Sequence, residues 1–284
     1  MVTAAIDRLR GVLALARSYV KELSRPRSEK FVTTAPSAQT AIDAASDEWF
    51  SKLPPPHERV RAGQAEQFDD PRVRWGFESL GGVTGTRVID LGPFEGGFSY
   101  MAQQAGAAHV VGVEANRIAF LKCLVTKELF DLDRCSFLCG DVNEYLATEA
   151  EPFDVCIACG ILYHMTDPMR LLDLISQRAS RLIMWTHVYS DEALQNRQLA
   201  GRLGSEVKKI YNGFDYRVYP HTYALDWRLP TFCGGIAPHS NWMHRDDLFR
   251  ALDHLGWRVL EVAFDEPLGL NGPSVALVAE RGLR

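Results

Sequence analysis

The stretch DLGPFEGG, residues 90–97, sets a carboxylate at the end of a short apolar run, just before a turn rich in glycine. A glycine turn between a strand and a helix lets backbone N–H groups approach a nucleotide-like ligand. Dinucleotide-binding turns carry an apolar residue at the strand end and glycines in the order G-x-G-x-x-G. Here the order is Asp90-x-Gly92-x-x-x-Gly96-Gly97. An acid at that point repels a pyrophosphate and suits a ligand with a cationic group and hydroxyls. Two further acids hold equivalent places: Glu114 closes HVVGVE, and Asp141 follows CSFLCG. A carboxylate after a second strand can accept from both hydroxyls of a ribose, and one after a third from an adenine amino group.

The acids need a scaffold that brings strand ends to one edge. The runs RVIDL, HVVGVE, CSFLCG, FDVCIAC and RLIMWTH alternate with helical stretches such as RIAFLKCLVTKELF and DPMRLLDLISQRA. Strands alternating with helices predict an α/β fold, a parallel sheet covered on both faces. Asp167 and Pro168 mark a helix start, as N-cap and first-turn residue. RVLEVAF and SVALVAE are joined only by DEPLGLNGP, too short for a parallel crossover, so that pair is expected to be antiparallel. Between MWTH and RDDLFRALDHLG the rhythm breaks. Residues 188–243 hold nine aromatics in 56 positions, in a chain that is 10% aromatic overall. The segment follows a strand's carboxyl end, where open α/β sheets bind ligands, and is expected to cover the substrate. The predicted organisation is an N-terminal helical extension and linker over 1–65, then one domain over 66–284 with the cap inserted at 188–243.

Adenine, ribose and an ammonium held near Asp90, directly or through water, together describe S-adenosylmethionine (SAM). The sequence resembles the class I SAM-dependent methyltransferases over about residues 70–187 and again about 240–280. DLGPFEGG, GVEAN, GDVNEY and FDVCIACGILYHMTDP stand in that family's order. The resemblance implies a Rossmann-like sheet of seven strands with the last antiparallel. It also implies SAM contacts from Asp90, Gly92, Pro93, Phe94, Gly96, Glu114, Ala115, Asp141, Val142, Cys159 and Gly160. Within the superfamily, GILYHMTDPMRLL and NWMHRDDLFRALDHLGW are similar to the tRNA wobble-uridine carboxymethyltransferases, which use a carboxylated SAM. That similarity implies RNA as the alternative acceptor.

Transfer to a hydroxyl benefits from a general base, typically by about 10²–10⁴-fold. The base candidates are His187 at the end of the fifth strand, His239 in the turn-rich GGIAPHSNW, His164 in LYHM, and His221. Tyr163 is a further candidate. CIAC, residues 156–159, has the C-x-x-C spacing, but i and i+3 of a strand face opposite ways, so packing is expected. No HExxH or carboxylate cluster is apparent, so no obligatory metal is expected.

Composition bounds the partners. With 46% apolar residues in 284, one large α/β domain with extensions can bury its core. No apolar run of 18 residues occurs, so no membrane span is expected. The first 30 residues lack a secretory pattern, and the six cysteines lack a disulfide spacing, which points to a reducing, cytoplasmic setting. Residues 1–30 carry seven Lys and Arg against three Asp and Glu, a local +4 within a net charge of −5, leaving −9 on the remainder. So acidic a body favours a small-molecule or glycan acceptor over nucleic acid. IDRLRGVLALARSYVKEL reads as an amphipathic helix. It suits packing on the domain or on a second subunit, as in a homodimer, or a peripheral membrane contact through residues 1–25.

Overall fold

The computed structural model describes residues 31–46, 48–148, 151–191, 201–223, 234–269 and 271–282. The expected N-terminal amphipathic helix, Cys233 and two stretches of the 188–243 insertion lie outside the described residues. The chain divides into two compact units, Met1–Ala41 and Ile42–Arg284. In the first, Ser37 and Thr40 exchange hydrogen bonds, each side-chain oxygen accepting from the other's N–H (3.2 and 3.0 Å). This reciprocal pairing opens helix α1 (Ala38–Ala45). In the second, Ile42, Leu53 and Phe68 share a small buried cluster. Residues 42–65 therefore pack within the sheet-bearing unit, although their Pro-rich sequence places them in the extension.

Helix α2 (Pro71–Ser79) leads into β1 (Arg87–Leu91), α3 (Gly97–Gln104), β2 (His109–Glu114), α4 (Arg117–Leu129) and β3 (Cys135–Cys139). There follow α5 (Val142–Thr148), β4 (Phe153–Cys159), α6 (Pro168–Arg178) and β5 (Ala179–His187). After the insertion come α7 (Arg245–His254), β9 (Trp257–Glu266) and β10 (Ser274–Arg281). The seven-stranded sheet runs β3-β2-β1-β4-β5-β10-β9. β1 to β5 pair in parallel, and β10 lies antiparallel to both β5 and β9. The alternation of strand and helix dictated the parallel part, and the short β9–β10 connection dictated the reversal.

The sheet is buried on both faces. Along β4, Cys156 and Ala158 join one apolar cluster while Val155, Ile157 and Cys159 join the other. The two thiols of CIAC thus face opposite layers. α2 presses closely on β5: a Cβ added at Gly76 would sit 2.5 Å from Ile183 Cγ2. Gly76→Ala is therefore expected to lower unfolding free energy by about 1–3 kcal/mol, the usual range for overpacking, measured as the urea midpoint at constant slope.

The insertion builds a sheet of its own, β6 (Val207–Tyr211), β7 (Phe214–Thr222) and β8 (His239–Met243), antiparallel throughout. Asn212 and Gly213 form the β6–β7 turn with φ of 47° and 83°, the double left-handed geometry favoured in two-residue hairpins. Among the described residues, no helix is long and apolar enough to cross a membrane.

Candidate active site

The strand order reverses between β1 and β4, and open α/β sheets bind ligands outside the carboxyl ends at such a point. A cavity of about 440 Å³ lies at that edge, lined by Gly92, Pro93, Phe94, Glu114, Ala115, Asp141, Val142, Cys159 and Gly160. The structure thus brings together most residues nominated from the sequence as cofactor contacts.

The glycine turn holds Gly92, Phe94 and Gly96 at φ of 71°, 57° and 82°. Phe94 occupies the left-handed region without glycine's freedom, a strain of about 1–3 kcal/mol. The conformation aims its N–H at Glu114 Oε2, 3.0 Å away, while the Asn116 N–H donates to Oε1 at 2.7 Å. Two backbone donors therefore orient the Glu114 carboxylate, which keeps lone pairs for ligand hydroxyls. Burial raises the Glu114 pKa, and the backbone donors oppose that rise. Asp141 Oδ1 accepts from the N–H groups of Asn143 (2.8 Å) and Glu144 (3.1 Å), starting α5.

Asp90 sits elsewhere than expected. It is 1% exposed and does not line the cavity. Ser99 Oγ donates to its Oδ2 at 2.7 Å. Burial, reinforced by the charge of Glu114, pushes Asp90 up to about 7. The register explains the placement, because Asp90 pairs within the sheet against Gly112 and Ile157. Its Oδ1 and the Oδ1 of Asn143, a cavity-lining residue, are both buried without a partner among the described residues. Asn143 Oδ1, a buried acceptor awaiting a donor at the cavity wall, matches an amino group of SAM, and Glu114, on the same wall, matches its ribose hydroxyls. The residues present fit the cofactor.

Tyr163, His164, Trp185 and Arg72 also line the cavity. The Arg72 guanidinium lies 4.3 Å over the Trp185 ring, and its Nε donates to Asp70 Oδ1 at 2.9 Å. His164 Nδ1 is 2.6 Å from Tyr223 Oη. His187 does not line the cavity but lies behind Tyr163, with ring centroids 4.7 Å apart. Its Nδ1 sits 3.1 Å from the Pro273 carbonyl, which can only accept, so Nδ1 carries the proton and Nε2 is left with a lone pair. His239 is exposed at the start of β8 and is not among the lining residues. The insertion supplies residues 234–237 to the cavity wall. Its Trp242 is sandwiched between the rings of His187 (5.0 Å) and His221 (5.1 Å).

Burial lowers all three of these imidazoles. His164 falls to about 3, with His187 and His221 adding to the effect, and His221 falls to about 4. His187 is lowered as well. A folded pKa below the unfolded value leaves these groups neutral in the fold and charged in the unfolded chain at intermediate pH. Stability is therefore lost as pH falls below about 6.5, by up to ~1.4 kcal/mol per pH unit for each group. Asp90 works oppositely, gaining stability as pH falls below about 7. The histidine part is isolated by comparison: His221→Asn should lose less stability between pH 8 and pH 5 than the parent chain, in urea unfolding.

A family profile described as "Methyltransferase domain" matches residues 83–215. The solved N-terminal domain of EvdMO1, with SAH bound, superposes with TM-score 0.61 at 19% identity, covering 87% of this chain and 95% of that one. Residues 83–215 thus carry a methyltransferase domain, on the fold of the class I SAM-dependent methyltransferases. S-adenosylmethionine is the cofactor of that family and fits this cavity. The magnesium protoporphyrin IX methyltransferase of Synechocystis PCC 6803, with bound SAH, has the same fold: TM-score 0.52, 16% identity, 95% of this chain and 99% of that one. In sequence, the methyltransferase is 32% identical over 90 residues to the tRNA U34 carboxymethyltransferase of Dichelobacter nodosus, 32% of this chain and 28% of the relative. The same enzyme of Ectopseudomonas mendocina is 29% identical over 116 residues, 40% of this chain and 36% of the relative. The match thus spans only about a third of those relatives' own length.

Sequence reasoning missed Phe50, Gln67, Arg72, Asn143 and Trp185, all of which line the cavity. Asn143 stands two residues after Asp141 and was within reach of the GDVNEY motif. Phe50, Gln67 and Arg72 precede the alternating pattern and carry no periodic signal.

Proposed function

We propose that the methyltransferase transfers a methyl group from SAM to a hydroxyl oxygen of a small polar metabolite or sugar-containing acceptor, with His187 as general base. The observation that carries this reading is the His187 tautomer: the Pro273 carbonyl holds the proton on Nδ1 and leaves Nε2 able to accept one. When bound, the cofactor supplies an electrophilic methyl on a sulfonium with a good leaving group. Glu114, Asn143 and the glycine turn would hold its adenosine part, and Arg72 would face its carboxylate. Tyr163 and His164 line the cavity and would exclude water from it, which favours attack from about 3–3.5 Å. His187 Nε2 takes the acceptor's proton as the oxygen becomes the nucleophile. The insertion closes over the acceptor through residues 234–237, and the stack of its Trp242 on His187 ties that cover to β5.

The second reading, tRNA wobble-uridine modification, draws on the similarity to the U34 carboxymethyltransferases. Two cavity-lining cations are already paired, Arg72 with Asp70 and Arg170 with Glu144. Such pairing suits the single carboxylate of SAM better than the additional one of a carboxylated donor. Transfer of labelled methyl from SAM into fractionated extract separates the readings. Label in the small-molecule or glycan fraction supports hydroxyl methylation. Nuclease-sensitive label, lost on deletion of residues 1–30, supports the RNA reading instead.

A further inference from the structure

The glycine turn carries an acid that neither faces the cavity nor belongs to the cofactor contacts described above. Glu95 is fully buried. Its Oε1 accepts from the Phe50 N–H at 2.9 Å and its Oε2 from the Ser51 N–H at 2.8 Å. Lys122, from α4, places its ammonium 2.9 Å from Oε1 and also donates to the Glu48 carbonyl. One buried carboxylate and one buried ammonium thus gather three positions of a strap, Glu48, Phe50 and Ser51, onto the turn. The strap returns at Gln67, whose carbonyl leaves no room for a side chain at Gly97: a Cβ there would lie 2.6 Å from it. Phe50 and Gln67 are cavity-lining residues, and Phe50 meets Phe94 edge-on with centroids 6.0 Å apart.

A buried ion pair is a weak source of stability, because desolvation offsets most of the attraction. A carboxylate accepting from adjacent backbone N–H groups does fix geometry. Phe50 itself is 56% exposed, so burial of its own side chain does not hold it over the cavity. The chain holds it by its backbone instead.

We infer that Glu95 is a positioning residue: with Lys122 it latches the 48–51 strap to the glycine turn and so sets Phe50 as an outer wall of the cofactor pocket. The inference rests on the assignment of this cavity to SAM. Glu95 acts through Phe50, so loss of either should weaken the cofactor in the same way.

The test is a double-mutant cycle read by calorimetric binding of S-adenosylhomocysteine to the full chain, with Glu95→Gln, Phe50→Ala and both together. Each single variant is expected to bind about tenfold more weakly, and the double no more than about twofold worse than the weaker single, since contacting residues are non-additive. Independent, multiplying losses would overturn the latch, as would wild-type affinity in a folded Glu95→Gln. Hydrogen exchange on the parent chain gives a readout that needs no variant. The Phe50 and Ser51 amides should exchange more slowly with S-adenosylhomocysteine bound. Unchanged exchange there, with binding intact, would count against the latch should Glu95→Gln fail to fold. If the parent chain binds no S-adenosylhomocysteine at all, it is the cofactor assignment that fails, and the latch falls with it.

Discussion

His187→Gln lowers kcat by about 10²–10⁴-fold, the range for removal of a general base, and leaves S-adenosylhomocysteine affinity within about twofold. The expectation follows from position. His187 lies behind Tyr163 and outside the lining of the cofactor cavity, so its loss should reach the proton transfer and spare the cofactor. Glutamine keeps a side-chain N–H that can approach the Pro273 carbonyl but offers no basic nitrogen. The pH profile supplies a second check. Burial lowers the His187 pKa, so the acid limb of kcat/KM should fall below the ordinary imidazole value near 6.5, and this limb should vanish in the variant. A loss under about tenfold, or a limb that persists, would transfer the role to another group or to a reaction that needs no base.

Glu114→Ala weakens SAM and S-adenosylhomocysteine by about 1.5–3 kcal/mol, the range for hydrogen bonds to a charged group, or about 10–150-fold in Kd. Two effects act together at this position. The direct one is loss of the carboxylate oxygens that would accept from the ribose hydroxyls. The indirect one is release of the Phe94 and Asn116 N–H groups, which removes the reason for Phe94 to hold a left-handed backbone. Glu114→Gln separates them, because the amide oxygen can keep one backbone donor while the amide nitrogen opposes the other. Its affinity should fall between those of the parent and the alanine variant. Calorimetry at constant salt measures all three. Unchanged affinity in Glu114→Ala would remove this residue from the cofactor site.

Much of this molecule follows from local pattern. Alternating apolar strands and amphipathic helices determine a parallel sheet with covered faces, and the nine-residue stretch after Glu261's strand determines its antiparallel partner. Carboxylates that end successive strands fall at one edge of such a sheet, so Glu114 and Asp141 were legible before any coordinate. CIAC was legible for the same reason, since strand periodicity sends Cys156 and Cys159 to opposite layers.

Tertiary structure decided the rest. Asp90 has the spacing of a wall residue, yet pairing with β2 and β4 buries it beneath the turn. His187 gained its tautomer from Pro273, 86 positions away. The strap at 48–51 reached the cavity through Glu95, 44 and 45 positions along the chain. Arg72 reached it by stacking on Trp185. Residue spacing records which face of an element a side chain takes, because helix and strand periods are set by the backbone nearby. It does not record which carbonyl, ring or carboxylate that face will meet, because the meeting is set by how distant elements pack. The cofactor edge of the sheet belongs to the first kind of information, and the His187 tautomer, the Glu95 contacts and the cavity wall at 234–237 belong to the second.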